Sequence, residues 1–284
     1  MAFLAEDHIE QAGIETLKSL GWLYLHGSDI APDGPSPQRS SFSDAFLIPR
    51  LERYVGQINP AVPSSAIEQA LRKLLTNDLP SLVEENRRIH RYLVNGIDVE
   101  YRSDAGSIVS DKVWLINFDD VEANDWLVVN QFTLIEGRQN RRPDIILFVN
   151  GMPLAVLELK NPSDETATLS KAFDQLQTYK LQIPSLFKTN AVLVTSDGLA
   201  ARLGSLTANE ERFMPWRTVN GKDYVAPGVP ELDTLLKGVF GRANFLKLIR
   251  DFTVFGDKGE GPFKIVAGYH QFHGAQKALT ESID

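Results

Sequence analysis

The chain has no cysteine, which excludes disulfides and thiolate metal sites and fits a reducing cytoplasm. It has no apolar run longer than a strand, so nothing is expected to span a bilayer. The N-terminal MAFLAEDHIEQ has neither a basic n-region nor an extended apolar core, so no signal peptide is expected. No G-x-x-x-x-G-K-[ST] occurs, which excludes a Walker A phosphate cradle. A basic surplus is missing too, the net charge being −8. A protein that grips nucleic acid unaided usually has that surplus, because neutralising phosphates supplies much of its affinity. If this chain acts on DNA, its basic groups are concentrated locally or partners deliver the substrate. What remains is an ordinary globular composition over 284 residues, enough for one large domain or two modest ones.

Residues 7–20 read as a helix stopped by Gly21. At 100° per residue, Ile9, Gly13, Ile14, Leu17 and Leu20 share an arc that also contains Glu10, while Glu15 falls on the wet side. A short strand follows at Trp22–Leu25, then a loop rich in Gly, Pro, Ser and Asp to Ser43. Residues 44–95 read as a helical insertion. One helix there opens on the capping-box pattern Ser65-Ala66-Ile67-Glu68, and another runs from about Pro80 to Val94. Strands are expected at Val113–Phe118 and Trp126–Phe132, and then as a hairpin, Asp144–Val149 and Leu154–Leu159, turning at Asn150-Gly151. A helix at about Thr166–Ile183 and a buried strand at Ala191–Thr195 complete an α/β domain, with helices on both sides of its sheet. After a break near Ala226–Pro230, a helical region runs from Glu231 to about Asp251 and leads into a Gly-rich connector, 256–261.

The chemistry is concentrated in Arg142-Pro143-Asp144, thirteen further residues, and Glu158-Leu159-Lys160. Antiparallel arms bring the start of one strand beside the end of the next, so Asp144 and Glu158 can meet across the ladder. Glu158 and Lys160 emerge on one face and Leu159 on the other. Two carboxylates can hold Mg²⁺, which takes hard oxygen ligands and keeps several waters, and that ion polarises a phosphoryl oxygen. A lysine beside them can orient or deprotonate the attacking water and stabilise charge at phosphorus. Strand-end acids are often simply solvated, and this short motif arises by chance in many proteins. Its hairpin context and the following helix give it weight.

Asp144, Glu158 and Lys160 match the motif of the PD-(D/E)xK nuclease superfamily, and Gln175-Leu176-Gln177-Thr178-Tyr179 resembles the Gln-x-x-x-Tyr motif of its RecB-like branch. The longer strings RRPDIILFVNGMPLAVLELKNPSDET, IPSLFKTNAVLVTSDGLAARLGSLTANEERFMPW and GYHQFHGAQKAL resemble the restriction (R, motor) subunits of type I restriction-modification enzymes. The similarity covers nearly the whole chain and is weakest over 44–95.

The resemblance implies a PD-(D/E)xK core, a mixed central sheet flanked by helices, as an endonuclease domain over 1–228. A helical linker would follow at 229–262, and residues 263–284 would begin a truncated helicase-like motor domain. It implies Mg²⁺-dependent cleavage of double-stranded DNA after ATP-driven translocation, with ATP used by the full-length protein. The implied partners are modification and specificity subunits. The expected catalytic set is Asp144, Glu158, Lys160, Glu10, Gln175 and Tyr179, and the expected metal set is Asp144, Glu158 and Leu159. Glu10 enters because the family takes an acidic residue from an N-terminal helix, although Asp7-x-x-Glu10 could equally be a capping box. Asn130-Gln131 resemble a family motif and are expected to hydrogen-bond around the site. Arg138, Arg141 and Arg142 could touch phosphates or form a solvated turn. His270 and His273 suit a metal by spacing but have no third ligand nearby. Trp216 and Phe213 are expected to be packing residues. A cytoplasmic protein whose isolated fragment is monomeric, with no membrane partner, completes the reading. The rival readings are a stand-alone RecB-like or resolvase-type nuclease, and a catalytically silent docking module of a DNA motor.

Overall fold

A computed structural model of the chain describes residues 6–76, 79–103, 106–160, 168–226, 228–259 and 261–283. Helix α1 (Glu6–Ser19) buries Ile9, Ile14 and Leu17, and leads through Gly21 (φ +88°) into strand β1 (Leu23–His26). After a long turn-rich loop come three helices, α2 (Ile48–Ile58), α3 (Ser64–Leu75) and α4 (Leu82–Asn95), so the insertion expected over 44–95 is helical. The box expected at Ser65 is not formed. The N-cap of helix α3 lies two residues earlier, at Pro63, whose extended backbone precedes the first turn without a side-chain cap. The cap is made on α4 instead, where the Ser81 side chain accepts from the Glu84 amide and Gly96 (φ +71°) ends the helix.

Strands β2 (Ile97–Arg102) and β3 (Ile108–Val113) form a separate hairpin. The strand expected at Val113–Phe118 is therefore placed too late. Leu115 and Ile116 are buried as irregular chain, tied down by hydrogen bonds between Asn117 and Asn124. Next come β4 (Trp126–Asn130), the short hairpin β5 (Leu134–Glu136) and β6 (Gln139–Arg141), then β7 (Ile145–Val149) and β8 (Met152–Leu159). Helix α5 (Leu169–Gln182) follows, with Thr168 as its N-cap; the start expected near Thr166 lies outside the described residues. Strands β9 (Val192–Ser196) and β10 (Ala201–Gly204) complete the main sheet.

The sheet runs β1-β4-β7-β8-β9-β10, with parallel pairing at β1–β4 and β8–β9 and antiparallel pairing elsewhere, which makes it a mixed sheet. Every residue of β4, β7, β8 and β9 is buried, as expected of strands covered on both faces. At roughly 1.5–3 kcal/mol for each large apolar side chain, this block dominates the stability. Helix α5 packs on β8 and β9, while α1 packs on β4 and against α6 (Leu232–Phe240). The Asn150-Gly151 turn has both residues at positive φ (+50° and +78°), the type I′ geometry its sequence requires. The Asn150 side chain donates to Leu115 O and Asn124 Oδ1 and accepts from the Asp125 amide, fixing the end of the sheet opposite Asp144.

Helix α7 (Arg242–Asp251) is separated from α6 by Gly241. The Gly-rich connector is not loose chain. It closes a hairpin, β11 (Thr253–Lys258) with β12 (Gly261–Val266), before the last helix, α8 (Tyr269–Ile283). Residues 229–262 are thus only partly helical, and the boundary expected between 262 and 263 falls inside β12, where Phe263 is paired with Gly256. Alternation places Lys264 inward, 3% exposed, where its ammonium donates to Asn86 Oδ1 (3.1 Å) and to the Asn190 carbonyl (2.5 Å). The Asn86 amide in turn donates to the carbonyls of Phe187, Lys188 and Asn190. Burial pushes the Lys264 ammonium down to about 7, and burial together with Lys264's charge pushes His90 down to about 3. Among the described residues no helix is long and apolar enough to cross a membrane.

Candidate active site

A two-residue hairpin turn alone would pair Asp144 with Leu157 and leave Glu158 opposite Pro143. The observed ladder starts in that register, Val149 opposite Met152 and Phe148 opposite Pro153, and then slips to Leu147 opposite Ala155. Pro153 has no amide to give a central ladder, and the chain accommodates it with a bulge at Leu154. From there Ile145 faces Leu157, so Asp144 comes opposite Glu158 on the same face of the sheet. The bulge therefore sets the carboxylate pair.

Glu158 is 2% exposed and Asp144 half-buried. The Asp144 carboxylate accepts from the Leu159 amide at 2.7 Å. Lys160 Nζ lies 2.6 Å from Glu158 Oε1, and the Lys160 amide continues the parallel ladder to Ser196 O at 2.8 Å. Helix α5 lies over this face. Ala172, Leu176 and Tyr179 are its buried stripe, and Gln175 sits one turn before Tyr179. The Tyr179 hydroxyl lies near enough to Glu158 and the Gln175 side chain for both to bear on its ionisation. Burial first, then the negative charges of Glu158 and Asp144, push its ionisation well above the ordinary range, so it keeps its proton beside Glu158.

Glu10 reaches the strand ends from the other side. It is 9% exposed; Oε1 accepts from the Asn130 amide at 2.6 Å and Oε2 from the Gln131 amide at 3.0 Å. Asp7 lies inside α1, so it is not the N-cap that the capping-box alternative requires. Glu15 is exposed and pairs with Lys18. Sequence reasoning missed Tyr24, whose hydroxyl donates to Asn130 Oδ1 at 3.0 Å and so turns the amide nitrogen towards Glu10. That contact depends on β1 lying parallel beside β4, and no local pattern reports it.

The site residues fall into two groups. Asp144, Glu158, Lys160, Gln175 and Tyr179 are joined on the α5 face; Glu10 is joined to Asn130 and Gln131, and Gln131's amide meets Asp144 O at 3.2 Å. Among the described residues no group of three or more His, Asp or Glu side chains could hold a metal by itself. Two facing carboxylates with one lysine still make a net negative, oxygen-rich cluster, the donor chemistry of a Mg²⁺ site completed by water. The Leu159 side chain points away, so its membership of the metal set could involve only its main chain.

The remaining candidates are placed as follows. Arg138 and Arg142 are exposed on either side of the short β6, whereas Arg141 is hydrogen-bonded to Gln182 and Gln139. His270 and His273 lie on α8, where His273 meets Trp216 edge-on. Phe213 packs on Phe173 of α5 and Trp216 on Phe272, both as packing residues.

The model of the family described as "Type I restriction enzyme R protein N terminus" matches residues 3–212. The chain belongs to this family. Over 284 residues it is 37% identical to the type I restriction enzyme HindI endonuclease subunit of Haemophilus influenzae, covering 99% of this chain and 27% of that protein. It is 33% identical to the putative MjaIXP endonuclease subunit of Methanocaldococcus jannaschii, covering 99% of this chain and 28% of that protein. A second protein of that organism, the putative MjaVIIIP endonuclease subunit, is 27% identical over 93% of this chain and 24% of its own length. The chain thus spans about a quarter of the length of each of these three relatives. As an R protein N terminus, its matched region includes the whole main sheet together with α1 and α5.

Proposed function

We propose that this chain is the Mg²⁺-dependent endonuclease part of a type I restriction enzyme R subunit, hydrolysing phosphodiester bonds of double-stranded DNA. The observation that carries it is the β7–β8 register, which ends at Ile145 opposite Leu157 and so brings Asp144 to Glu158, with the Leu159 amide on the Asp144 carboxylate and Lys160 ion-paired to Glu158. The superfamily motif Asp144, Glu158, Lys160 supports a PD-(D/E)xK identity for the core. A Mg²⁺ held by Asp144 and Glu158, with Leu159 contributing at most through its main chain, would supply Lewis-acid polarisation of a phosphoryl oxygen.

The chain's own residues account for the rest. The Leu159 amide holds the Asp144 carboxylate and the Lys160 ammonium holds that of Glu158, so little reorganisation is needed when charge develops. Lys160 is anchored at Glu158 with its ammonium on the reacting face. There it orients the attacking water and offsets negative charge on the phosphate oxygens as the P–O bond breaks. Gln175, one turn before Tyr179 on the same edge of α5, flanks that hydroxyl beside Glu158. Glu10 completes the acidic set from α1. ATP-driven translocation, and the modification and specificity subunits, belong to the larger assembly; the net charge of −8 suits a domain to which DNA is delivered rather than one that grips it alone. Cytoplasmic action fits the DNA substrate.

The test is plasmid cleavage by the assembled enzyme with Mg²⁺ and ATP. Asp144→Ala and Glu158→Ala should each abolish cutting while ATP hydrolysis and the fold persist. Near-parental cutting by either variant would sink the assignment.

A further inference from the structure

Two described non-glycine residues have positive φ. Asn150 is explained by its type I′ turn and by its hydrogen-bonded amide. Gln131 (φ +53°) is not in a hairpin turn, and glutamine has no local preference for the left-handed region. It follows directly on β4, and the strain it stores is expressed at the site end of the sheet.

That conformation does three things at once. The Gln131 amide N–H reaches the Asp144 carbonyl at 3.2 Å, extending the β4–β7 ladder by one bond to the residue whose side chain faces Glu158. Its side chain turns back from the strand and donates to Glu10 Oε2 at 3.0 Å. Its carbonyl fills the space beside Gly27, where a Cβ would stand 2.4 Å from Gln131 O and 2.7 Å from Asn130 O. Gly27 in turn donates its amide to Asn130 O at 2.9 Å, so the loop after β1 closes over the kinked backbone. Asn130 supplies the second amide to Glu10, with its own orientation set by Tyr24.

We infer that Gln131 is a positioning residue: its left-handed backbone is held so that one residue clamps the Glu10 carboxylate and binds the Asp144 main chain. It is the link between the α1 and α5 sides of the site. A residue in ordinary extended geometry would point its side chain to one face and could not make both contacts from the strand end. The role rests on the nuclease reading above, because it acts through Glu10 and Asp144.

Gln131→Gly tests it, since glycine removes the clamp and also accepts the positive φ. The assembled enzyme would be compared as parent, Gln131→Gly, Glu10→Gln and the double variant. The readouts are melting temperature, ATP hydrolysis, and cleavage as a function of Mg²⁺ concentration. Gln131→Gly should melt within about 3 °C of the parent, because relieved strain offsets the lost hydrogen bond. Its half-maximal Mg²⁺ concentration should rise by roughly tenfold or more, with a smaller loss of rate at saturating Mg²⁺. The double variant should cut no worse than Glu10→Gln alone, the non-additivity expected of two groups acting as one. An unchanged Mg²⁺ dependence, or a double variant whose defects multiply, overturns the proposal. So does a fall in melting temperature of more than about 6 °C, which would make Gln131 a residue of the fold instead. Asp144→Ala, run alongside, separates the two levels. If it is inactive while Gln131→Gly cuts like the parent, only the positioning role fails; if Asp144→Ala cuts normally, the nuclease reading fails.

Discussion

Tyr179→Phe removes one oxygen atom from the middle of the site and nothing else. The ring stays in the buried stripe with Ala172 and Leu176, so no cavity is made. What goes is a protonated hydroxyl beside Glu158, a carboxylate 2% exposed, to which it is placed to donate. Hydrogen bonds to charged groups contribute about 1.5–3 kcal/mol, so the carboxylate's competence should fall roughly 10- to 150-fold. Part of that loss should also register as stability, because the buried charge has one donor fewer. Gln175→Ala acts one step further out. It removes the amide beside the Tyr179 oxygen but leaves the hydroxyl in place, and a neutral contact of that kind contributes about 0.5–1.5 kcal/mol, which predicts a loss of roughly tenfold or less. Single-turnover cleavage at saturating Mg²⁺, with urea denaturation of each variant, gives both quantities. The reasoning is refuted if Tyr179→Phe cuts within twofold of the parent, or if Gln175→Ala is the more damaging change.

Three further outcomes follow from the same geometry. Glu10→Gln should depress cleavage by about a hundredfold, whereas Glu15→Gln, on the exposed side of α1, should leave it unchanged; equal, mild effects on both would return Glu10 to a purely structural role. Lys160→Ala should keep or slightly strengthen Mg²⁺ binding, measured by calorimetry, while cleavage falls by roughly two orders of magnitude or more. Lys160→Arg should not restore it, since a guanidinium is bulkier and cannot deprotonate. Finally, Lys264 gives up its proton near 7 in the folded chain, against 10.5 ordinarily, so the unfolded chain binds more protons between those values and stability rises with pH across them. At about 1.4 kcal/mol per pH unit the rise is at most about 5 kcal/mol. Urea midpoints at pH 7 and pH 9.5 should therefore diverge for the parent and converge for Lys264→Met; parallel behaviour of the two proteins contradicts the assignment.

Much of this was written locally in the chain. Asn150-Gly151 announces its turn by a backbone requirement few residues meet, and the helical phase of α1 puts Glu10 inward and Glu15 outward without knowledge of any neighbour. Gln175 and Tyr179 share an edge of α5 for the same reason. The pairing of Asp144 with Glu158 was legible only in outline, because its register depends on the bulge at Leu154. Pro153 inside an apolar run was the available signal. The strand expected at Val113–Phe118 failed for a different reason. Its apolar residues are buried by packing while the hydrogen-bonded partner of β2 is the more polar 108–113, and pairing rather than hydrophobicity defines a strand. Tyr24 and the left-handed Gln131 depend on the parallel β1–β4 contact across a hundred or so residues, beyond any window of local pattern. The β11–β12 hairpin was hidden by its glycines, which read as a connector although Gly256 is needed where Phe263 lies across the ladder.

The separations along the chain also fix an order of assembly. Asp144 and the Leu159 amide are 15 residues apart and belong to one hairpin, so that part of the site can form on the microsecond scale of hairpin closure. Glu10 and Asn130 are 120 residues apart, and their contact requires a long loop to close around the whole helical insertion. The two groups of site residues are therefore assembled in two instalments, with the Glu10 group last to arrive and, if α1 frays from the sheet, first to leave. A chain in which β7, β8 and β9 have paired before α1 docks would have Asp144, Glu158 and Lys160 together and still lack Glu10. Maturation of the fold itself would then act as a safeguard, delaying a competent site until the N-terminal helix has docked.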